Sequence, residues 1–312
     1  MGIWGNDALL LAESAPEKVD SINIVLSAYR SIRGERVIYA SVPVTTGQRY
    51  YDVLDRYSVK TLDELLAKNK DALKKEIIAP NISEGIVFAD ELAKKLNRTV
   101  IAPSVFEAKK QRWSQNEYMF LWYRFIEERI KAIGLMKDSK YSNGSAKEVV
   151  RAIEMQFGFV NPVNGMENVS ADVGKYELFA QMCQIRVFDH EIKEVRIESA
   201  NKMFCEAINE LHARGFNPKE LLEQQEKLMS IAYSLQNEFF LSRAVCCIQA
   251  PYEFNWHQMI KDTISLNVLP DEVKKELEKE MSNSDAKVQP KDRVKELEEA
   301  LEELRAVCEK KE

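Results

Sequence analysis

The sequence predicts an α/β fold, a small and mostly parallel sheet flanked by helices, followed by an all-α region. Three observations predict it. From Glu35 to about Gly158 short apolar runs alternate with longer segments of helical periodicity, the pattern of strands joined by crossover helices. Asn161-Pro162 and Asn164-Gly165 are turn dipeptides, and beyond them almost every apolar residue falls at helical spacing. The chain has 312 residues and is 45% hydrophobic, enough for two domains with a core each. The expected division is an α/β domain over 1–165 and a helical domain over 166–312.

Val37-Ile38-Tyr39-Ala40 is the first expected strand, and the polar stretch Val44-Thr45-Thr46-Gly47-Gln48-Arg49 follows it. Ser83 offers a cap to a helix carrying Ile86, Val87, Leu92 and Leu96, with Asn97 ending it before the strand Thr99-Val100-Ile101-Ala102. Pro103 forces the chain into a loop. After Trp113 comes an aromatic-rich helix with Tyr118, Phe120, Trp122 and Phe125, running through Ile126 to Lys131 into the strand Ala132-Ile133-Gly134-Leu135-Met136. The loop Lys137 to Gly144 opens a helix from Ser145 to Phe157. In the second half, Tyr176 to Leu211 and Pro218 to Phe240 read as helical. The tail from Asp292 places Val294, Leu297, Leu301, Leu304 and Cys308 three and four apart, as in a short coiled-coil or docking helix.

Composition narrows the function classes. A net charge of -6, with 44 basic and 50 acidic residues spread along the chain, supplies no basic stripe and argues against a nucleic-acid partner. No apolar run reaches membrane-spanning length, and Met1 to Leu11 lacks the basic lead-in of a signal segment, so a soluble cytoplasmic protein is expected. Five cysteines (Cys183, Cys205, Cys246, Cys247, Cys308) form no C-x-x-C pair and read as buried thiols. His190, His212 and His257 stand far apart, which argues against a histidine-based metal site.

In parallel α/β sheets ligands bind where strand C-termini meet helix N-termini, because backbone N–H groups and the helix dipole converge there. Two loops qualify: Val42 to Arg49 and Lys137 to Glu148. The second contains Ser145-Ala146-Lys147-Glu148, which reads as a capping box with Ser145 at N-cap and Glu148 at N3. It also contains Asn143-Gly144, suited to a tight turn, and three hydroxyls, Ser139, Ser142 and Ser145, gathered where an anion would sit. Glu148 therefore has two readings, a helix cap and a functional carboxylate.

The strand Val37 to Pro43 with its Thr45-Thr46-Gly47 loop, and the loop Ser142-Asn143-Gly144-Ser145-Ala146-Lys147-Glu148, resemble the nucleoside 2-deoxyribosyltransferase superfamily, which includes nucleoside 5'-monophosphate N-hydrolases. The resemblance covers about residues 35 to 158 and implies a Rossmann-like, deoxyribosyltransferase-like sheet. It implies that Glu148 is the nucleophile and that Tyr39 helps to hold it and the sugar. Thr45, Thr46, Gly47, Ser142, Asn143, Gly144 and Ser145 would line the substrate site. Transferases of this kind usually carry an aspartate where this chain has Ser142, and a serine there is similar to the N-hydrolases, in which it contacts the 5'-phosphate. The expected substrate is thus a nucleoside or nucleoside 5'-monophosphate, with no metal or organic cofactor. A homo-oligomer is also expected, since family members often complete their sites across an interface.

The chain departs from the family in three places. The aspartate usually found in the helix before the catalytic strand, the proton donor to the base, is not there; Arg124, Glu127 and Glu128 occupy that region. Asp138, Glu127 and Trp113 are the candidates for proton donor or base contact. Val42-Pro43 stands where a small Gly-Ser pair is usual, and Tyr50 to Asn81 looks like an insertion. For Trp113, Tyr118 and Trp122, stacking on a base competes with core packing. Two rival functions use the same features: an NAD-cleaving, toxin-like glycohydrolase, and a nucleotide-sensing module without turnover.

Overall fold

Four parallel strands form one sheet in the order β2-β1-β3-β4: β1 is Val37–Ser41, β2 Val100–Ile101, β3 Ile130–Leu135 and β4 Arg186–Phe188. This is a computed structural model, and it describes residues 11, 14–32, 37–106, 113–156, 185–246 and 255–287. The protein is α/β, mostly helical, with helices flanking the sheet. β1 and β3 are adjacent and central. The chain leaves β1 toward β2 on one side and returns to β3 on the other, so the strand order reverses between the carboxyl ends of β1 and β3. Parallel sheets bind ligands at such a reversal.

Every residue of β1 is buried, so both faces of the strand are covered. Alternation sorts the side chains. Ile38 and Ala40 join Leu92, Ala102 and Ala132 in an apolar cluster. Gly134 belongs to the same packing, since a Cβ there would come within 2.5 Å of Leu92 Cδ2. Tyr39 and Ser41, both 0% exposed, share the opposite parity.

The helices mark their own limits. Ser114 and Glu117 form a reciprocal capping box at the start of Gln115–Arg129. That helix stops at Arg129, and β3 begins at Ile130, earlier than the sequence pattern implies. Pro16 opens the helix Pro16–Arg30, which the sequence pattern leaves unassigned, and its Tyr29 ring sits 4.8 Å from Phe125 and 5.6 Å from Trp122. The helix Ala79–Leu96 ends as expected at Asn97, in the left-handed conformation, but starts before Ser83, which lies inside it. Ahead of it, Leu73–Ile78 is a π-helix. Pro80 has no N–H for the Glu76 carbonyl, and the Ala79 N–H reaches Lys74 O, a five-residue step. The inserted residue turns Asn81 inward, where its Nδ2 donates to Val44 O (3.0 Å) and its Oδ1 accepts from Arg49 Nε (2.9 Å). The loop after β1 is thereby tied down.

Internal contacts divide the chain into two units, Met1–Arg196 with Gly215–Gln224, and Ile197–Arg214 with Gln225–Glu312. The expected cut near 165 falls within 157–184, outside the described residues. The helical reading of Tyr176 to Leu211 is corrected at β4: buried Ile185 and Val187 flank exposed Arg186, a period-two pattern of a half-covered edge strand, and β4 completes the sheet. In the second unit the elements among the described residues are helices: Ile197–Ala213, the helix Lys219–Cys246 from Gln225 on, Trp256–Ile264 and Asp271–Lys287. Among its buried side chains, Gln225 Nε2 donates to Asn201 Oδ1 and Thr263 Oγ1 (both 2.9 Å), and Asn201 Nδ2 to Met259 O (3.1 Å). A satisfied polar network of this kind selects one packing of the helices. The tail from Asp292 lies outside the described residues. No helix among the described residues is long and apolar enough to cross a membrane.

Candidate active site

β1 delivers two hydroxyls to one carboxylate. Tyr39 Oη donates to Glu148 Oε1 (2.5 Å) and Ser41 Oγ donates to Glu148 Oε2 (2.6 Å). Glu148 lies on the helix Asn143–Gln156, which follows β3, and is 7% exposed. Burial pushes its carboxyl up to about 7, although the bonds from Ser41 and Tyr39 pull it down. Burial, and then the Glu148 charge, hold the Tyr39 phenol well above its ordinary value, so Tyr39 remains a donor at any physiological pH.

This geometry corrects the capping-box reading. The helix starts at Asn143, two residues earlier than expected, and Ser142 in extended conformation is its cap, with Oγ accepting from Ser145 N–H (3.3 Å). Ser145 is therefore at N3, and Glu148 lies in the second turn, beyond the reach of the helix dipole. Burial dominates its ionisation. The tight turn also moves. Asn143 and Gly144 are helical, and the left-handed residue is Asp138, at φ 63°. Of the three gathered hydroxyls, Ser139 Oγ donates to Met136 O (2.5 Å) and Ser142 is the cap, whereas the buried Ser145 Oγ has no partner among the described residues.

A cleft of about 530 Å³ opens at the carboxyl ends of β1 and β3. Pro43, Thr46, Gln48 and Arg49 line it from the first loop, and Met136, Lys137 and Asp138 from the second. Side chains join the loops twice. Thr46 Oγ1 lies 3.3 Å from Ser142 Oγ, and the Gln48 amide, with its nitrogen turned inward, reaches both Asp138 carboxylate oxygens at 3.1 Å. Thr45 is exposed and outside the lining. Gly47 acts through the backbone: its φ of 102° belongs to glycine, and a Cβ would come within 2.7 Å of Pro43 Cβ. Gly47→Ala is expected to destabilise the chain by roughly 2 kcal/mol or more in denaturant melts, because strain and clash add.

The other proton-donor candidates separate. Asp138 lines the cleft. Glu127 is locked in a buried ion pair with Arg151, also accepts from Arg124 Nη1 (3.4 Å), and is absent from the cleft lining. Glu128 pairs with Arg30 (2.5 Å). Trp113 donates Nε1–H to Ser21 Oγ (2.9 Å) and packs on Phe106 and Tyr118, which makes it a core residue rather than a base contact. Trp122 is likewise buried, 6.1 Å from the Tyr39 ring.

Two residues of this site escaped the sequence reading. Ser41 is two positions beyond Tyr39, and strand parity alone puts both on one face. Arg151 follows Glu148 by three on the same helix, a spacing that places them side by side. Among the described residues no group of three or more His, Cys, Asp or Glu could hold a metal ion. Comparison with protein-family models, with curated proteins and with solved structures finds no match to this chain.

Proposed function

We propose that the protein is an N-glycosidase of the nucleoside 2-deoxyribosyltransferase kind, cleaving or transferring the base–sugar bond of a nucleoside 5'-monophosphate or nucleoside. The observation that carries this is the buried Glu148 carboxylate, carried by the helix after β3 and held between the Tyr39 and Ser41 hydroxyls of β1, the two strands between which the strand order reverses. Breaking an N-glycosidic bond leaves positive charge on the sugar and needs an electron-rich group beneath C1'. Glu148 forms a bond to C1' as the C–N bond breaks, and that electron pair leaves with the base, which takes a proton. Asp138, the one proton-donor candidate lining the cleft, is assigned to the base side. Water then attacks C1' and releases Glu148. No metal or organic cofactor enters these steps. The cleft volume falls within the range of small-molecule sites. A cytoplasmic homo-oligomer completes the proposal.

The reading is tested by incubating the protein with a panel of nucleosides, nucleoside monophosphates and NAD and separating the products by chromatography. Free base from monophosphates supports it, and nicotinamide from NAD points to the NAD-cleaving rival. A second reading, a nucleotide-binding module without turnover, is favoured by one observation: Glu148 is absent from the cleft lining, with both its oxygens already bonded. Binding of a monophosphate with no release of base supports that reading instead.

The phosphate preference has its own variant. Aspartate is as good an N-cap as serine, so Ser142→Asp keeps the helix start while adding a negative charge. Its kcat/KM for monophosphates is expected to fall by roughly tenfold or more relative to free nucleosides, since a carboxylate repels a dianion. Equal losses for both would remove Ser142 from phosphate recognition.

A further inference from the structure

Beneath the Glu148 helix lies an ionic cluster that the glycosidase chemistry does not use. Glu127, on the helix before β3, has a side chain wholly removed from solvent, and that of Arg151 is 10% exposed. Arg151 Nε donates to Glu127 Oε1 (2.8 Å) and its Nη2 bonds the same oxygen. Nη1 reaches Glu154 Oε2 (3.2 Å), and the guanidinium lies 5.6 Å from the centre of the Tyr123 ring. Burying such charges is costly, and an apolar pair of similar volume would hold two helices at least as well. What the ion pair adds is direction: its hydrogen bonds survive only one rotation and one height of the Asn143–Gln156 helix.

That restraint matters because of what Glu148 gains by moving. An ionised carboxylate in a closed pocket is stabilised by any rotation or slide of its helix that admits water. Arg151 is the neighbouring residue one turn along the same helix, so the same movement pulls it off Glu127. We propose that the buried Glu127–Arg151 pair is a positioning clamp that holds Glu148 closed against Tyr39 and Ser41; the proposal rests on Glu148 being the reacting carboxylate. The titratable group bonded to Glu148 is Tyr39 on β1, itself near Tyr29 and Tyr123; Arg151, one turn along the helix, is ringed by Glu127, Glu154 and Tyr123. Lys147 is engaged by Glu220 (3.2 Å). Direct hydrogen bonds to the carboxylate come from Tyr39 and Ser41, so the clamp acts through the position of the helix.

The test is the ionisation of Glu148, followed by carbon-13 NMR of the side-chain carboxyls and assigned by difference from Glu148→Gln. In Glu127→Gln the midpoint is expected to fall by about one pH unit or more, as water reaches the group. kcat should drop about tenfold with KM nearly unchanged, the mark of a misplaced reacting group. Arg151→Lys keeps the charge but loses the two-pronged contact, and serves if Glu127→Gln does not fold; the same downward shift is expected. Arg30→Ala, which breaks the pair between Arg30 and Glu128, the residue next to Glu127, should leave the midpoint in place. An unmoved midpoint in folded Glu127→Gln or Arg151→Lys overturns the clamp. Because the titration needs no turnover, a shifted midpoint in a protein that cleaves no nucleotide supports the clamp while rejecting the glycosidase.

Discussion

Replacing Glu148 by Gln is expected to lower kcat by a factor of about a thousand or more, roughly 4 kcal/mol at about 1.36 kcal/mol per tenfold. The amide keeps the shape of the side chain and can still accept from Tyr39 Oη, while its nitrogen can donate to Ser41 Oγ instead of accepting from it, so packing and the Tyr39 bond are kept. It lacks the full charge that balances the developing oxocarbenium, and it is a poor nucleophile toward C1'. Substrate affinity should persist, because the interaction lost is one made in the transition state. Helix capping predicts no effect here: the cap is Ser142, and both oxygens of Glu148 point to β1 rather than to the helix start. Steady-state kinetics on the substrate found in the product panel measure the loss. A variant retaining more than about a tenth of wild-type turnover, a loss under ~1.4 kcal/mol, would remove Glu148 from the chemistry.

The same residue sets a pH dependence in both rate and stability. Its carboxyl is raised from 4.5 to about 7 in the folded chain. A raised folded value means that protonated Glu148 is favoured by folding. That contribution is fully present below about 4.5 and is lost as pH rises through about 7. The two values differ by enough to make the loss about 3 kcal/mol between pH 4.5 and pH 8. Other groups titrate in this window, so the quantity to measure is the difference between wild type and Glu148→Gln, whose amide does not ionise. The variant should gain on wild type as pH rises, by roughly 5 °C in melting temperature for a chain of this size. Catalysis runs the opposite way. The nucleophile must be charged, so kcat/KM should climb through an acid limb near 7. Ser41→Ala, which removes a hydrogen bond that favours the charged form, should move that limb to higher pH. A profile flat from pH 5 to pH 8 would contradict the assignment.

How much of this was legible in the sequence depended on how local the cause was. β1 and β3 announced themselves as short apolar runs, and Asn97 as a helix end, because a few neighbouring residues decide each. The two loops that line the cleft followed from the rule for parallel sheets, once those strands were placed. Glu148 and Tyr39, paired by resemblance, do meet. What the chain concealed was the frame of the helix that carries Glu148. Ser142 and Ser145 are both acceptable caps by type, and the contact of Thr46 with Ser142 from the other loop accompanies a start at Asn143. The raised carboxyl was equally hidden, since it comes from burial under elements distant in sequence. β4 was missed because three residues of period two disappear inside a window scored for helix. Glu127 and Trp113 looked available as donors because their partners, Arg151 and Ser21, are 24 and 92 positions away.

The most direct test of the central claim, that Glu148 is a charged reactive group held buried at the expense of stability, is a paired measurement on Glu148→Gln at pH 8. Turnover and melting temperature are taken from the same preparation and compared with wild type. The expected result is opposite in sign for the two: turnover falls about a thousandfold, while the melting temperature rises by several degrees, as expected when a charge buried at a cost is removed from a functional site. A variant that melts no higher than wild type while turning over at a comparable rate would contradict it, leaving Glu148 as an ordinary buried polar residue of the fold.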